Sequence, residues 1–122
     1  MGPRHRWLEP FVLVLVASGT RHGYALAARL TALGVAPGPL DVGELYRTLR
    51  ELELLGLVRS RWVNPEGGAR RREYALTDAG GARLAEWGAV MRERGRLVGE
   101  FLAESERMRA DAADAAGAGK EA

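Results

Sequence analysis

Cysteine is absent from the chain, which excludes disulfides, thiolate nucleophiles and cysteine-bound zinc. Histidine is scarce: His5 and His22 alone offer imidazole, too few to build a metal centre on. No nucleophile stands beside a base, and the carboxylates are dispersed among capping and solvent-facing positions, so neither catalytic residues nor a cofactor is expected. Long apolar runs are missing too. FVLVLVA, Phe11 to Ala17, falls far short of the ~18–20 residues that span a bilayer. The MGPRHRW segment before it is superficially like the start of a secretory signal, but Glu9 and Pro10 interrupt that pattern. Arg6 stands where an N-myristoylation signal wants Ser or Thr. A cytoplasmic protein without a membrane partner is the expectation. Neither sign of charge dominates: the formal net charge is +2, with arginines crowded into the middle and acidic residues offsetting them towards the C-terminus. Local charge must therefore decide what the surface binds.

At 122 residues and 47% hydrophobic content the chain suffices for one domain with a modest core. Leu8 to Ala17 reads as a helix apolar on nearly all sides, hence buried in the domain or covered by another subunit. Ser18-Gly19-Thr20 breaks it. Gly23 to Leu33 reads as a second helix, with Leu26, Ala27, Leu30 and Leu33 on one face and Gly34 as its stop. Pro37-Gly38-Pro39 is a loop. Asp41 caps a third helix, Glu44 completes a capping-box-like pair, and Gly56 ends it. Along it Val42, Leu45, Leu49 and Leu52 keep the spacing of a core face, leaving Gly43, Tyr46, Arg47 and Arg50 on or beside the opposite one.

Val58 to Asn64 and Arg71 to Leu76 alternate as two short strands around a Pro65-Glu66-Gly67-Gly68 turn. Alternation predicts Val58, Trp62, Tyr74 and Leu76 facing inward and Arg59, Arg61 and Arg71 facing the other way. Arg70 and Arg72 flank the turn, where alternation is least reliable. Thr77 caps a fourth helix running to about Met108, with Asp78 at the positive end of its dipole. Its apolar stripe of Leu84, Trp87, Val90, Met91, Leu97, Val98, Phe101 and Leu102 is wider than a small domain covers, so a partner helix is expected. After Met108 the Ala, Gly and Asp-rich sequence loses its periodicity and reads as a solvated tail. Its GAGK lacks the spacing and hydroxyl residue of a phosphate-binding loop.

These elements compose a winged helix-turn-helix, mainly α with a small β-hairpin. Residues 1–77 would form a DNA-binding domain, 78–108 a dimerisation helix and 109–122 a disordered tail. Gly43 to Arg50 would enter the major groove of double-stranded DNA: Gly43 for close backbone approach, Tyr46 on phosphate or sugar, Arg47 and Arg50 on base edges or phosphates. Arg70, Arg71 and Arg72 would track the backbone or enter the minor groove. Tyr24 and His22 flank the start of the second helix, whose free N–H groups can hold a phosphate. Otherwise His22 is a turn residue and Tyr24 packs on the first helix. Singly, Tyr46 reads as a partly buried aromatic and each arginine as a solvated charge. Their convergence on a helix and a finger favours DNA.

The order and spacing of HGYALAARL from His22, GELYRTLRELELLGLV from Gly43 and RRREYALTDAGGARL from Arg70, with Trp87 soon after, resembles PadR-type transcriptional regulators over Leu8 to Trp87. The resemblance implies a homodimeric repressor on a palindromic operator, often released by a small phenolic or drug-like ligand. Trp87 is then either a platform for a small aromatic effector or an anchor of helix packing, with Val90, Met91, Leu97, Val98 and Phe101 at the same ligand or dimer surface. One position departs from the pattern: Glu44 stands where similar sequences carry Thr or Ser. It is either a capping residue turned away from DNA or an acceptor for cytosine N4. The alternative function is a winged helix that docks a protein partner, which the arginines and Tyr46 argue against.

Overall fold

A computed structural model describes residues 7–36 and 38–121, with side chains described through Ala118. Expectations placed on Met1 to Arg6 and on Pro37 lie outside these residues. The elements are α1 (Leu8–Ala17), α2 (Gly23–Leu33), α3 (Val42–Leu54), β1 (Val58–Val63), β2 (Arg71–Leu76) and α4 (Asp78–Glu121). Together they form a winged helix-turn-helix followed by a long C-terminal helix. The chain divides into two compact units, Met1–Trp87 and Gly88–Ala122.

Side-chain chemistry marks the helix boundaries. His22 caps α2, its ring nitrogen accepting the Ala25 N–H at 3.3 Å, and Gly34 closes it at φ +70°. Asp41 caps α3 by accepting the Glu44 N–H at 3.3 Å. Gly56, at φ +74°, ends it, while the Leu57 N–H returns to the Leu52 carbonyl at 2.9 Å. The Thr77 hydroxyl accepts the Gly80 N–H at 3.0 Å and donates to the Gly56 carbonyl at 2.6 Å. One side chain thus starts α4 and fastens it to the end of α3. The first turn of α4 runs so close to Leu57 that a Cβ at Gly80 would lie 3.0 Å from the Leu57 carbonyl carbon.

The core joins Leu8, Val12, Leu13, Leu15 and Val16 of α1 to Leu26 and Leu30 of α2, Leu45, Leu49 and Leu52 of α3, and Val58 and Tyr74 of the hairpin. Each fully buried leucine contributes about 1.5–3 kcal/mol by leaving water. Leu84 and Trp87, in the first turns of α4, pack against this cluster. Two residues expected on core faces are half exposed, Leu33 and Val42. They occupy the last turn of α2 and the first position of α3, where a helix outruns its neighbours.

The strands pair antiparallel from Val58↔Leu76 to Val63↔Arg71, with Trp62 opposite Arg72. Alternation predicts Trp62 facing inward, but it is 53% exposed. Its position near the hairpin tip takes it past the reach of the helices, and it covers arginines instead of core. The segment before α2 lies along β2: Glu73 bridges to His22, and the Tyr74 N–H donates to the Arg21 carbonyl at 2.7 Å.

The expectation of an irregular tail after Met108 is corrected: α4 continues to Glu121. Absence of apolar periodicity removes a burying face, not the helical preference of alanine. Ala110, Ala112, Ala113, Ala115, Ala116 and Ala118 supply the residue with the best helix propensity. Ion pairs three residues apart, Glu93 with Arg96 at 2.7 Å and Glu104 with Arg107, line the exposed helix before them.

Candidate nucleic-acid interface

A cleft of about 730 Å³ opens between the start of α2, the outer face of α3 and the hairpin. Tyr46 and Arg50 line it from α3, Trp62 from β1, Arg70, Arg71 and Arg72 from the far arm of the hairpin, and His22 and Tyr24 from the start of α2. Helical spacing explains the α3 contribution. Leu45, Leu49 and Leu52 turn to the core, so Tyr46 and Arg50 necessarily turn to the cleft.

Tyr46 closes the inner end by lying over Gly23. A Cβ at Gly23 would stand 2.9 Å from the Tyr46 ring carbons, so a side chain at that position would displace the Tyr46 ring from this place. Tyr24 is 83% exposed and does not pack on α1, which leaves it beside the cleft mouth. Tyr74 forms part of the floor, and burial pushes its phenol above the usual value. Arg47 is exposed on α3 outside the cleft lining. Its guanidinium lies 3.5 Å from where a Cβ at Gly43 would be. Gly43 and Arg47 therefore share one exposed edge of α3, while Tyr46 and Arg50 share the cleft.

The three consecutive wing arginines do not form one row. Arg70 and Arg72 place their guanidinium carbons 5.0 and 5.4 Å from the centroid of Trp62. Such stacking holds a cation for about 0.5–1 kcal/mol at an exposed site, while the N–H edge of Arg72 is turned to Ser60 and Glu53. The side chain of Arg71 shares a face with Val63 and Glu73 by register, and pairs with Glu73 at 3.5 Å. That second face also carries Arg59 and Arg61, and with Arg21 they line a shallower depression.

Glu44 settles differently from a base-reading residue. It is buried, with 7% relative exposure, at the α3 N-terminus. The carboxylate that lines the cleft is Glu53, three residues beyond Arg50. Its carboxylate accepts the Ser60 hydroxyl, and Arg72 approaches to 3.6 Å.

Trp87 stands apart from this cleft. Its indole N–H donates to Glu9, whose two carboxylate oxygens also receive the Nε and Nη2 of Arg83 at 2.9 and 3.0 Å. Burial alone would raise the Glu9 carboxyl, but the hydrogen bonds of Arg83 and Trp87 and the Arg83 charge outweigh it and hold it below the usual carboxylate range. This geometry favours Trp87 as a packing anchor. On the second unit Val90, Leu97, Val98, Phe101 and Leu102 are exposed, and Met91 is partly buried.

Sequence reasoning missed Glu53, Ser60 and the role of Trp62. The signal for Trp62 was its place opposite Arg72, legible only with the strand register. Glu9 had an available signal: a lone carboxylate in the first turn of an apolar helix requires a partner when buried. Among the described residues there is no cluster of three or more metal-ligating side chains, and no helix is long and apolar enough to cross a membrane.

Comparison with known proteins follows this architecture. A family model described as "Transcriptional regulator PadR-like family" matches residues 12–86. A PadR family transcriptional regulator from Eggerthella lenta is 33% identical, with 81% of this chain and 84% of that chain covered and a TM-score of 0.67. A conserved protein of unknown function, described as a potential transcriptional factor, is 32% identical over 88% of this chain and 95% of its own, with a TM-score of 0.74. Bacillus subtilis PadR, solved in complex with operator DNA, is 25% identical over 67% of this chain and 46% of its own, with a TM-score of 0.58. Among curated proteins, none matches the chain.

Proposed function

Because the chain belongs to the PadR-like family of transcriptional regulators, we propose that it binds double-stranded operator DNA sequence-specifically and regulates transcription as a homodimeric repressor. The observation that carries this reading is the cleft itself. It brings Tyr46 and Arg50 of α3 and Arg70 and Arg72 of the wing to one concave surface, the two elements a winged helix presents to a duplex. In this reading α3 enters the major groove at Gly43, Arg47 and Arg50, whose fork-shaped guanidinium groups suit guanine O6 and N7. Tyr46 and the exposed Tyr24 reach phosphate or sugar, and the wing arginines contact the backbone or minor groove. The operator-bound relative from Bacillus subtilis supports the assignment.

Homodimerisation is the companion proposal. Val90, Leu97, Val98 and Phe101 give α4 an exposed apolar stripe of the kind another helix covers. A dimer presents two copies of α3 and so demands a palindromic site. Met91 completes that surface, and Trp87 borders it. Release by a small aromatic effector at Trp87 belongs to the same proposal; with the indole N–H engaged by Glu9, such a ligand would meet the ring rather than the N–H.

Selection from random oligonucleotides by the purified protein, repeated at several salt concentrations, tests the reading. The expected product is a pseudo-palindromic motif. Enrichment of none, with only salt-sensitive binding to every sequence, would demote the protein from regulator of defined sites to general DNA binder. Absence of any DNA binding would shift the surface to a protein partner.

A further inference from the structure

Arg72 meets an anion already built into the cleft. Its Nε donates to the Ser60 hydroxyl oxygen at 2.7 Å, and its Nη2 stands 3.6 Å from Glu53 Oε2. Ser60 has one hydroxyl proton, and it goes to the Glu53 carboxylate, whose Oε2 lies 2.9 Å away. The relay therefore has a direction: Arg72 to Ser60 to Glu53, from β2 through β1 to α3. Among the described residues that line the cleft, Glu53 is the only acidic one. A carboxylate on a surface that receives phosphates repels them, and Glu53 is partly exposed, so its charge is felt in the cleft.

Resting on the reading that this cleft binds DNA, we propose that Glu53 determines specificity by holding Arg72 against sequence-blind contact. Non-specific affinity comes almost entirely from cations replacing counterions at phosphates. An arginine paired with a carboxylate gains little by exchanging it for a phosphate, and the exchange leaves Glu53 facing the duplex uncompensated. On a random sequence the wing therefore withholds one of the cations that line the cleft. On the operator, base contacts from α3 fix the duplex in register and supply the free energy that draws Arg72 from Glu53 onto the backbone. Specificity rises because binding to wrong sequences falls, the repulsive half of discrimination.

Salt titration of the full-length protein with a fluorescein-labelled random-sequence duplex, read by anisotropy, tests this. Glu53→Gln is expected to bind several-fold tighter, with a log–log salt slope steeper by about 0.9, the signature of one further phosphate neutralised. In an Arg72→Ala background the same change is expected to leave the slope where it was. Glu51→Gln, on the same helix but outside the cleft lining, controls for bulk charge. Equal gains from Glu51→Gln and Glu53→Gln, or a Glu53→Gln gain that survives without Arg72, would reduce Glu53 to a general negative charge and overturn the proposal. An unchanged slope in Glu53→Gln would overturn it as well, while leaving DNA binding intact. A wild-type protein that binds no duplex at any salt concentration would overturn the DNA reading and this inference together.

Discussion

Arg83 grips both carboxylate oxygens of Glu9 from 74 positions along the chain, and the indole N–H of Trp87, one turn further on, closes the same carboxylate. The pair fastens the first turns of α4 to α1. Its partners are only partly shielded, so the charge term is modest, and the geometric constraint is the larger contribution.

Acid sensitivity follows from Glu9. Its carboxyl is held below 4.5 in the folded chain, so its stabilising contribution is present above the unfolded value and is lost as pH falls through the folded one. Glu9→Gln is expected to lower stability by about 1–2 kcal/mol at neutral pH and to flatten the decline of Tm below pH 4.5. Thermal melts across the acid range, comparing both proteins, check it. An identical acid limb in the two would show that Glu9 does not titrate with unfolding.

Gly80→Ala is expected to destabilise the protein by about 1–3 kcal/mol, the range for forcing extra volume into packed structure. The added carbon meets the Leu57 carbonyl and lies 2.9 Å from Leu76 Cδ1, and backbone cannot rotate aside. Gly81, one residue on, has open space around its Cβ position. Gly81→Ala is expected to be neutral or slightly stabilising through helix propensity. Urea unfolding of the two variants settles the contrast.

The two DNA-facing surfaces are expected to fail differently. Arg47→Ala or Arg50→Ala weakens operator binding by about 1–3 kcal/mol where the side chain reads a base, and barely affects random duplexes. Removing Arg70 and Arg72 together weakens binding to all sequences, and flattens the salt slope by about 0.9 on random DNA, where Glu53 already holds Arg72, and by about twice that on the operator. Parallel salt titrations with operator and random DNA separate the cases. An effect confined to the operator in the wing variant would exchange the assigned roles.

Phe101→Asp tests the apolar stripe. The ring is 69% exposed in the single chain, so the substitution leaves folding of the first unit untouched. Sedimentation is expected to show a dimer for wild type and a monomer for the variant, with operator affinity reduced by at least about tenfold through loss of the second half-site. A Phe101→Asp protein that still sediments as a dimer would move the interface elsewhere.

Most of the fold is legible in the sequence because the boundary residues are chemically explicit. Asp41, Gly34, Gly56 and Thr77 act where capping chemistry places them, and the bounds of α1 and α2 follow from apolar spacing. Hairpin register is not legible. The connection from Asn64 to Arg70 centres on Gly67, beyond the middle of the four-residue turn, and that offset puts Arg72 opposite Trp62. The length of α4 escapes the apolar pattern because pattern reports burial, whereas alanine sustains helix without it. Glu44 and Glu53 show the same limit at the site. Both are acidic residues on α3, and only the fold reveals that one is buried while the other lines the cleft.

The hydrogen bond from the Tyr74 N–H to the Arg21 carbonyl has a thermodynamic consequence for recognition. A free two-stranded hairpin is marginal in water and would lose conformational entropy on meeting a duplex. Bonded along β2 to the segment that starts α2, the wing is already ordered with respect to the helices. Encounter with DNA then asks for side-chain adjustment rather than backbone ordering, and association is governed by orientation and electrostatic steering, not by folding of the finger.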